Sequence, residues 1–81
     1  MRVHVTFYSY FKELTGISSG EIELPDGAAV QDLLRVIHET HPKLVPFQNS
    51  TLIASGVEYV GKSHPLKDGE QISLFPPVQG G

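Results

Sequence analysis

The chain has 81 residues, six Lys and Arg against nine Asp and Glu, a formal net charge of −3 and no cysteine. One small domain is expected, long enough to bury roughly 60% of the surface its unfolded chain exposes. Without cysteine there is no disulfide, thiolate zinc site, iron–sulfur cluster or cysteine nucleophile, so packing alone must hold the fold.

The acidic excess argues against a nucleic-acid binder, which would normally carry a clustered basic patch. No apolar run approaches the ~20 residues of a membrane span, and the opening segment lacks the apolar core of a signal peptide. A cytoplasmic protein away from membranes is expected.

In chain order, Val3, Val5 and Phe7 alternate with His4 and Thr6, the period-two pattern of a strand. Phe11 and Leu14, three apart and followed by Gly16, predict one short helical turn with a glycine stop. Glu21 to Leu24 alternate again, and Pro25-Asp26-Gly27 reads as the turn that ends that strand. These first two strands are expected to pair as an antiparallel hairpin.

Val30, Leu33, Leu34 and Ile37 then fall at i, i+3, i+4 and i+7, one apolar stripe of a helix that Pro42 ends. Lys43 to Ser50 reads as a proline-containing connector. Leu52 to Ala54 and Glu58 to Val60 read as short strands around Ser55-Gly56, and Gln71 to Phe75 as the last strand. The order β-β-α-β-β-β implies an α+β domain, a mixed sheet with one long helix across one face. The β-grasp, or ubiquitin-like, roll fits that order over residues 1–75. A ferredoxin-like fold would need a second long helix.

The last strand bears on function. If Ile72 and Leu74 face the helix, then Gln71, Ser73 and Phe75 face the uncovered side. Phe75 is then either a strand-end aromatic half covered by neighbours such as Tyr59 or Tyr8, or an anchor in a partner interface. After it, Pro76-Pro77 remove two ladder donors and impose an extended course. Gly80-Gly81 follow with no side chains. Residues 76–81 are therefore expected to form an extended tail, able to enter a channel too narrow for any Cβ and to present its carboxyl carbon to attack.

Other candidates are weaker. His38 and His41 could share a helix face but lack a third metal ligand, and they suit placement near a helix C-terminus. A Ser-His-Asp set is open by residue count, yet no nucleophile elbow accompanies it. No glycine-rich phosphate loop joins a strand to a helix, so the chain should bind no ATP and no other cofactor itself. Asp26 and Asp68 precede glycines and read as turn residues.

The run Phe75-Pro76-Pro77-Val78-Gln79-Gly80-Gly81, preceded by His64-Pro65-Leu66-Lys67-Asp68-Gly69-Glu70, closely resembles the C-terminal segment of the MoaD/ThiS family of sulfur carriers, on its molybdopterin-synthase branch. Phe11-Lys12-Glu13-Leu14-Thr15-Gly16 is similar to that family's first turn.

The resemblance implies that an E1-like (MoeB-like) adenylyltransferase uses ATP to adenylate the Gly81 carboxylate. A sulfur donor such as a cysteine desulfurase or rhodanese then displaces AMP to leave a C-terminal thiocarboxylate. It implies insertion of the tail into a large (MoaE-like) synthase subunit, in a heterotetramer, and sulfur transfer to cyclic pyranopterin monophosphate to build the molybdopterin dithiolene. By match to the family, Phe75, Pro76, Pro77, Val78, Gly80 and Tyr59 would contact the partners, which would supply the catalytic residues. The competing readings are a sulfur carrier for thiamine synthesis, a ubiquitin-like modifier joined to lysines through Gly81, and a plain interaction module or small enzyme.

Overall fold

A computed structural model describes residues 1–77. Its elements are β1 (Arg2–Phe7), α1 (Tyr10–Thr15), β2 (Ser19–Glu23), α2 (Val30–Thr40), a 3-10 helix (Pro42–Phe47), β3 (Leu52–Ser55), β4 (Glu58–Tyr59) and β5 (Gln71–Phe75). The strands form one mixed sheet in the order β2-β1-β5-β3-β4. Among the described residues only β1 and β5 run parallel, with Val5 opposite Ile72 and Phe7 opposite Leu74. The other pairs are antiparallel, the expected β1–β2 hairpin among them. This is the ubiquitin-like β-grasp arrangement, with α2 across one face.

Local chemistry accounts for the element ends. Gly16 closes α1 at φ 80°, donating its N–H to the Lys12 carbonyl at 2.8 Å. This left-handed conformation is the one glycine adopts without steric cost. Asp32 reaches back to accept the Ala29 N–H at 2.9 Å, satisfying a donor at the start of α2. That helix stops at Thr40, with His41 as its cap ahead of Pro42.

The Lys43 to Ser50 stretch differs from the expected connector. It opens as a 3-10 helix with Pro42 in its first turn, where the missing proline N–H costs nothing. Leu44 anchors it, only 2% exposed. Burial of that side chain gives the short helix a tertiary reason to form that local pattern does not display.

The core lies between α2 and one sheet face. Val3, Val5, Phe7, Ile53, Ile72 and Leu74 from the strands meet Val30, Leu33, Leu34 and Ile37 from α2, with Phe11 of α1 wholly enclosed. Each large side chain so buried contributes about 1.5–3 kcal/mol before conformational entropy is set against it. With α2 the one long helix among the described residues, the opposite face carries Arg2, His4, Thr6, Glu21, Glu23, Leu52, Tyr59, Gln71, Ser73 and Phe75, all exposed or half-buried. Any site on this face is built from side chains that water or a partner must cover.

Candidate functional site

The strand pattern delivers aromatic side chains to one end of the open face. Phe7 closes β1 pointing inward, so the next residue, Tyr8, turns outward. Its N–H donates to the Leu74 carbonyl at 3.1 Å, which carries the β1–β5 pairing one step further. The Tyr8 ring then stacks on Phe75, with centroids 4.6 Å apart and planes 13° from parallel. Leu52 lies opposite Phe75 in the β3–β5 register, and Tyr59 lies opposite Ala54 on β4.

Tyr8, Leu52 and Tyr59 are 41%, 36% and 73% exposed, while Phe75 is half-buried. A shallow cavity of about 360 Å³ lies beside the stack, lined by Ser9, Tyr10, Leu52, Tyr59, Phe75, Pro76 and Pro77. None of these side chains is charged at neutral pH. Pro76 lies past the end of β5 and is nonetheless buried, with Pro77 half-buried.

The sequence-predicted residues therefore fall into two groups. Phe75, Pro76, Pro77 and Tyr59 come together on one ledge. Val78, Gly80 and Gly81 lie outside the described residues. Phe75 does sit on the face away from the helix, and the neighbour that half covers it is Tyr8. Leu52 and Ser9 also line the ledge. Strand alternation could have found Leu52, whereas nothing in the local sequence marks Ser9.

Two polar clusters lie elsewhere. At the opposite end of the open face, Arg2 Nη2 donates to Glu23 Oε1 at 2.9 Å, and Arg2 Nε lies 3.7 Å from Glu21 Oε2. The bond and charge of Glu23 hold the Arg2 guanidinium above its ordinary value, and Arg2 holds the Glu23 carboxyl below its own. Asp68 accepts the Arg2 backbone N–H at 2.8 Å, and its neighbour Gly69 has φ 82°, so Asp68 serves the turn.

The second cluster centres on Glu70, whose side chain is only 12% exposed. One of its oxygens accepts from Ser55 Oγ and lies 2.7 Å from His64 Nε2; the other accepts the Lys67 N–H at 2.8 Å. Burial pushes the Glu70 carboxyl up, but the bonds from Ser55, His64 and Lys67, with the His64 charge, outweigh it and hold it below the usual carboxylate range. The carboxylate sits between serine and histidine. Nucleophilic catalysis needs the opposite order, with histidine against the hydroxyl, so the cluster braces a loop.

His41 meets Phe7 edge-on at 5.8 Å. His38 is half-buried, and burial together with the Lys62 charge pushes it down. Among the described residues no three His, Asp or Glu side chains gather as a metal site would require. No helix there is long and apolar enough to cross a membrane.

The ThiS family model matches residues 5–81. The chain belongs to the ThiS family. Among curated relatives, it is 34% identical over 83 residues to the molybdopterin synthase sulfur carrier subunit of Chlamydomonas reinhardtii, covering all of both chains. It is 31% identical over 94 residues to small archaeal modifier protein 3 of Haloferax volcanii, again covering all of both. Among solved structures, a Helicobacter pylori complex of subunits 1 and 2 of molybdopterin-converting factor contains a chain 33% identical, with a TM-score of 0.70 and full coverage of both chains. The aromatic ledge of this ThiS-family chain thus surrounds the root of the segment in which the sequence pattern places the chemistry.

Proposed function

We propose that this chain is the sulfur-carrier subunit of a molybdopterin synthase and that Gly81 is its reactive residue. The full-length likeness to the algal carrier carries the reading, and the uncharged ledge around Pro76 and Pro77 supports it. Interfaces of this kind place aromatic anchors at a desolvated centre.

In the proposed cycle a Gly81 carboxylate oxygen attacks the α-phosphorus of ATP held by an E1-like (MoeB-like) adenylyltransferase, and pyrophosphate leaves. The acyl adenylate is an activated electrophile, which a free carboxylate is not. The persulfide sulfur of a donor such as a cysteine desulfurase or rhodanese then attacks the carbonyl carbon, and AMP leaves. A thiol reductant cleaves the S–S bond of the resulting acyl disulfide to release the thiocarboxylate. That group is nucleophilic at neutral pH and gives a chain without cysteine its sulfur chemistry.

Phe75, Pro76, Pro77 and Tyr59 dock against each partner in turn. Val78 and Gly80 lie in the channel of the large, MoaE-like subunit, which supplies the acids and bases. Two transfers to cyclic pyranopterin monophosphate build the dithiolene. The assembly is a heterotetramer acting in the cytoplasm; ATP belongs to the activating enzyme, and this chain holds no cofactor of its own.

Reconstitution tests the reading. The chain bearing a Gly81 thiocarboxylate, verified by intact mass, is mixed with a large subunit and cyclic pyranopterin monophosphate. Molybdopterin formation is expected. Its absence with a large subunit proven active on another carrier would overturn the assignment. The likeness to the archaeal modifier favours one second reading, in which a lysine amine attacks the same acyl adenylate; its sign would be higher-mass conjugates that depend on Gly81.

A further inference from the structure

Of the five residues with positive φ among the described ones, four are glycines and the fifth is Ser9, at φ 55° and ψ −140°. Those angles are close to the first central position of a type II′ turn, a place glycine fills because any Cβ is crowded there. The turn is closed by its own bond: Phe11 N–H donates to the Tyr8 carbonyl at 3.1 Å. The next donor, Lys12 N–H, reaches the Ser9 carbonyl at 3.1 Å and starts α1.

A strained residue persists only where its surroundings over-determine it, and here they do so from both sides. On one side Tyr8 is fastened to β5, by its N–H on the Leu74 carbonyl and by its ring on Phe75. On the other, Tyr10 packs against Phe47 at 5.7 Å and Phe11 is fully buried. The chain must therefore reverse within one residue, sending Tyr8 to the open face and Phe11 into the core. Ser9 also lines the same cavity as Pro76 and Pro77.

We propose that Ser9 is a positioning residue, whose turn holds Tyr8 over Phe75 and so fixes the course on which Pro76 and Pro77 leave β5. The inference rests on the carrier reading for its consequence, but not for its geometry. A tail root held in one direction enters a partner's channel without first being ordered, which lowers the entropic cost of docking. Ser9 acts through Tyr8 and touches no reacting atom.

The test uses the full chain with Ser9→Val, Ser9→Gly and Tyr8→Ala. Valine cannot adopt positive φ without clashing, so Ser9→Val opens the turn; glycine adopts it freely and should keep the turn with a raised Tm. In the isolated chain, NMR contacts between the Tyr8 and Phe75 rings should be lost in Ser9→Val and kept in Ser9→Gly. In sulfur transfer, Ser9→Val should raise KM for the carrier by roughly fivefold to tenfold at unchanged kcat. The double variant Ser9→Val/Tyr8→Ala should show no more than Tyr8→Ala alone, because both remove one contact.

Ring contacts surviving in a folded Ser9→Val chain would overturn the proposal. So would additive effects in the double variant, or a lost contact with KM unmoved. If the unsubstituted protein transfers no sulfur, the carrier reading fails instead, and the ring contacts in the isolated chain still decide whether Ser9 sets the course of the root.

Discussion

The two ends of the open sheet face solve the same physical problem differently. Both consist of side chains that α2 cannot cover. At one end Arg2, Glu21 and Glu23 satisfy one another, and their side chains stay mostly exposed to solvent. At the other, Tyr8, Leu52 and Tyr59 leave large apolar area uncovered beside the half-buried Phe75. Strand β5 joins the ends, starting after the bonded carboxylate of Glu70 and finishing at Phe75. The first end is complete as it stands. The second is complete only when something covers it, and it lies where the chain leaves the sheet. Partner binding belongs where burial is unfinished.

The largest effect that would test this contrast lies beyond the ledge. Removing Gly80-Gly81, or adding one residue after Gly81, should abolish thiocarboxylate formation by the activating enzyme. Intact mass would report it, and the melting temperature should be unchanged. Sulfur loading of the truncated chain would sink the carrier reading outright. Next in size is Phe75→Ala, which should weaken binding to the large subunit by about 1–3 kcal/mol, as loss of a central aromatic anchor does. Because Phe75 also stacks on Tyr8, the isolated chain should lose about 1 kcal/mol of stability as well. Calorimetric titration and thermal melts separate the two losses, and unchanged affinity would remove Phe75 from the interface.

The start of β5 should respond to pH instead. The Glu70 carboxyl is held below its ordinary value. Its contribution to stability is thus fully present above the unfolded-state value of about 4.3 and is lost as pH falls through the folded value. Melting temperatures should drop below that point in the unsubstituted chain, and Glu70→Gln should flatten part of the drop while lowering stability at neutral pH. Acid profiles that superimpose would exclude Glu70 as a source of the pH dependence.

How much of this was legible depended on how far apart the interacting residues lie in sequence. The α2 stripe, the Gly16 stop and the alternation of β1 and β5 are local patterns, and the structure matches them. The 3-10 helix was not legible, because two prolines mask it and the burial of Leu44 that holds it is tertiary. Phe75, Pro76, Pro77 and Tyr59 could be named from the ending and its resemblance. Tyr8 and Tyr59 were both candidate neighbours of Phe75, and choosing Tyr8 needed the parallel β1–β5 register, which links positions more than sixty residues apart. The Glu70 cluster joins His64 and Lys67 of its own loop to Ser55 at the end of β3, and the approach of that loop to β3 is tertiary, so no spacing rule points to it. Ser9 was invisible because serine rarely takes a glycine conformation, and only coordinates reveal that it does.

The smallest expected effect is the sharpest check on the contrast. Arg2→Ala breaks both ion pairs at the charged end, and exposed pairs of this kind contribute little because solvent screens them. Melting temperature should change barely at all, and less at high salt than at low salt. Affinity for the large subunit should stay the same, since that end of the face would lie outside the interface. A clear loss of affinity would mean that the partner covers the whole open face, with the Arg2 side chain buried in the complex. The division into a finished end and an unfinished end would then describe only the free chain, and the aromatic ledge would be one part of a larger docking surface.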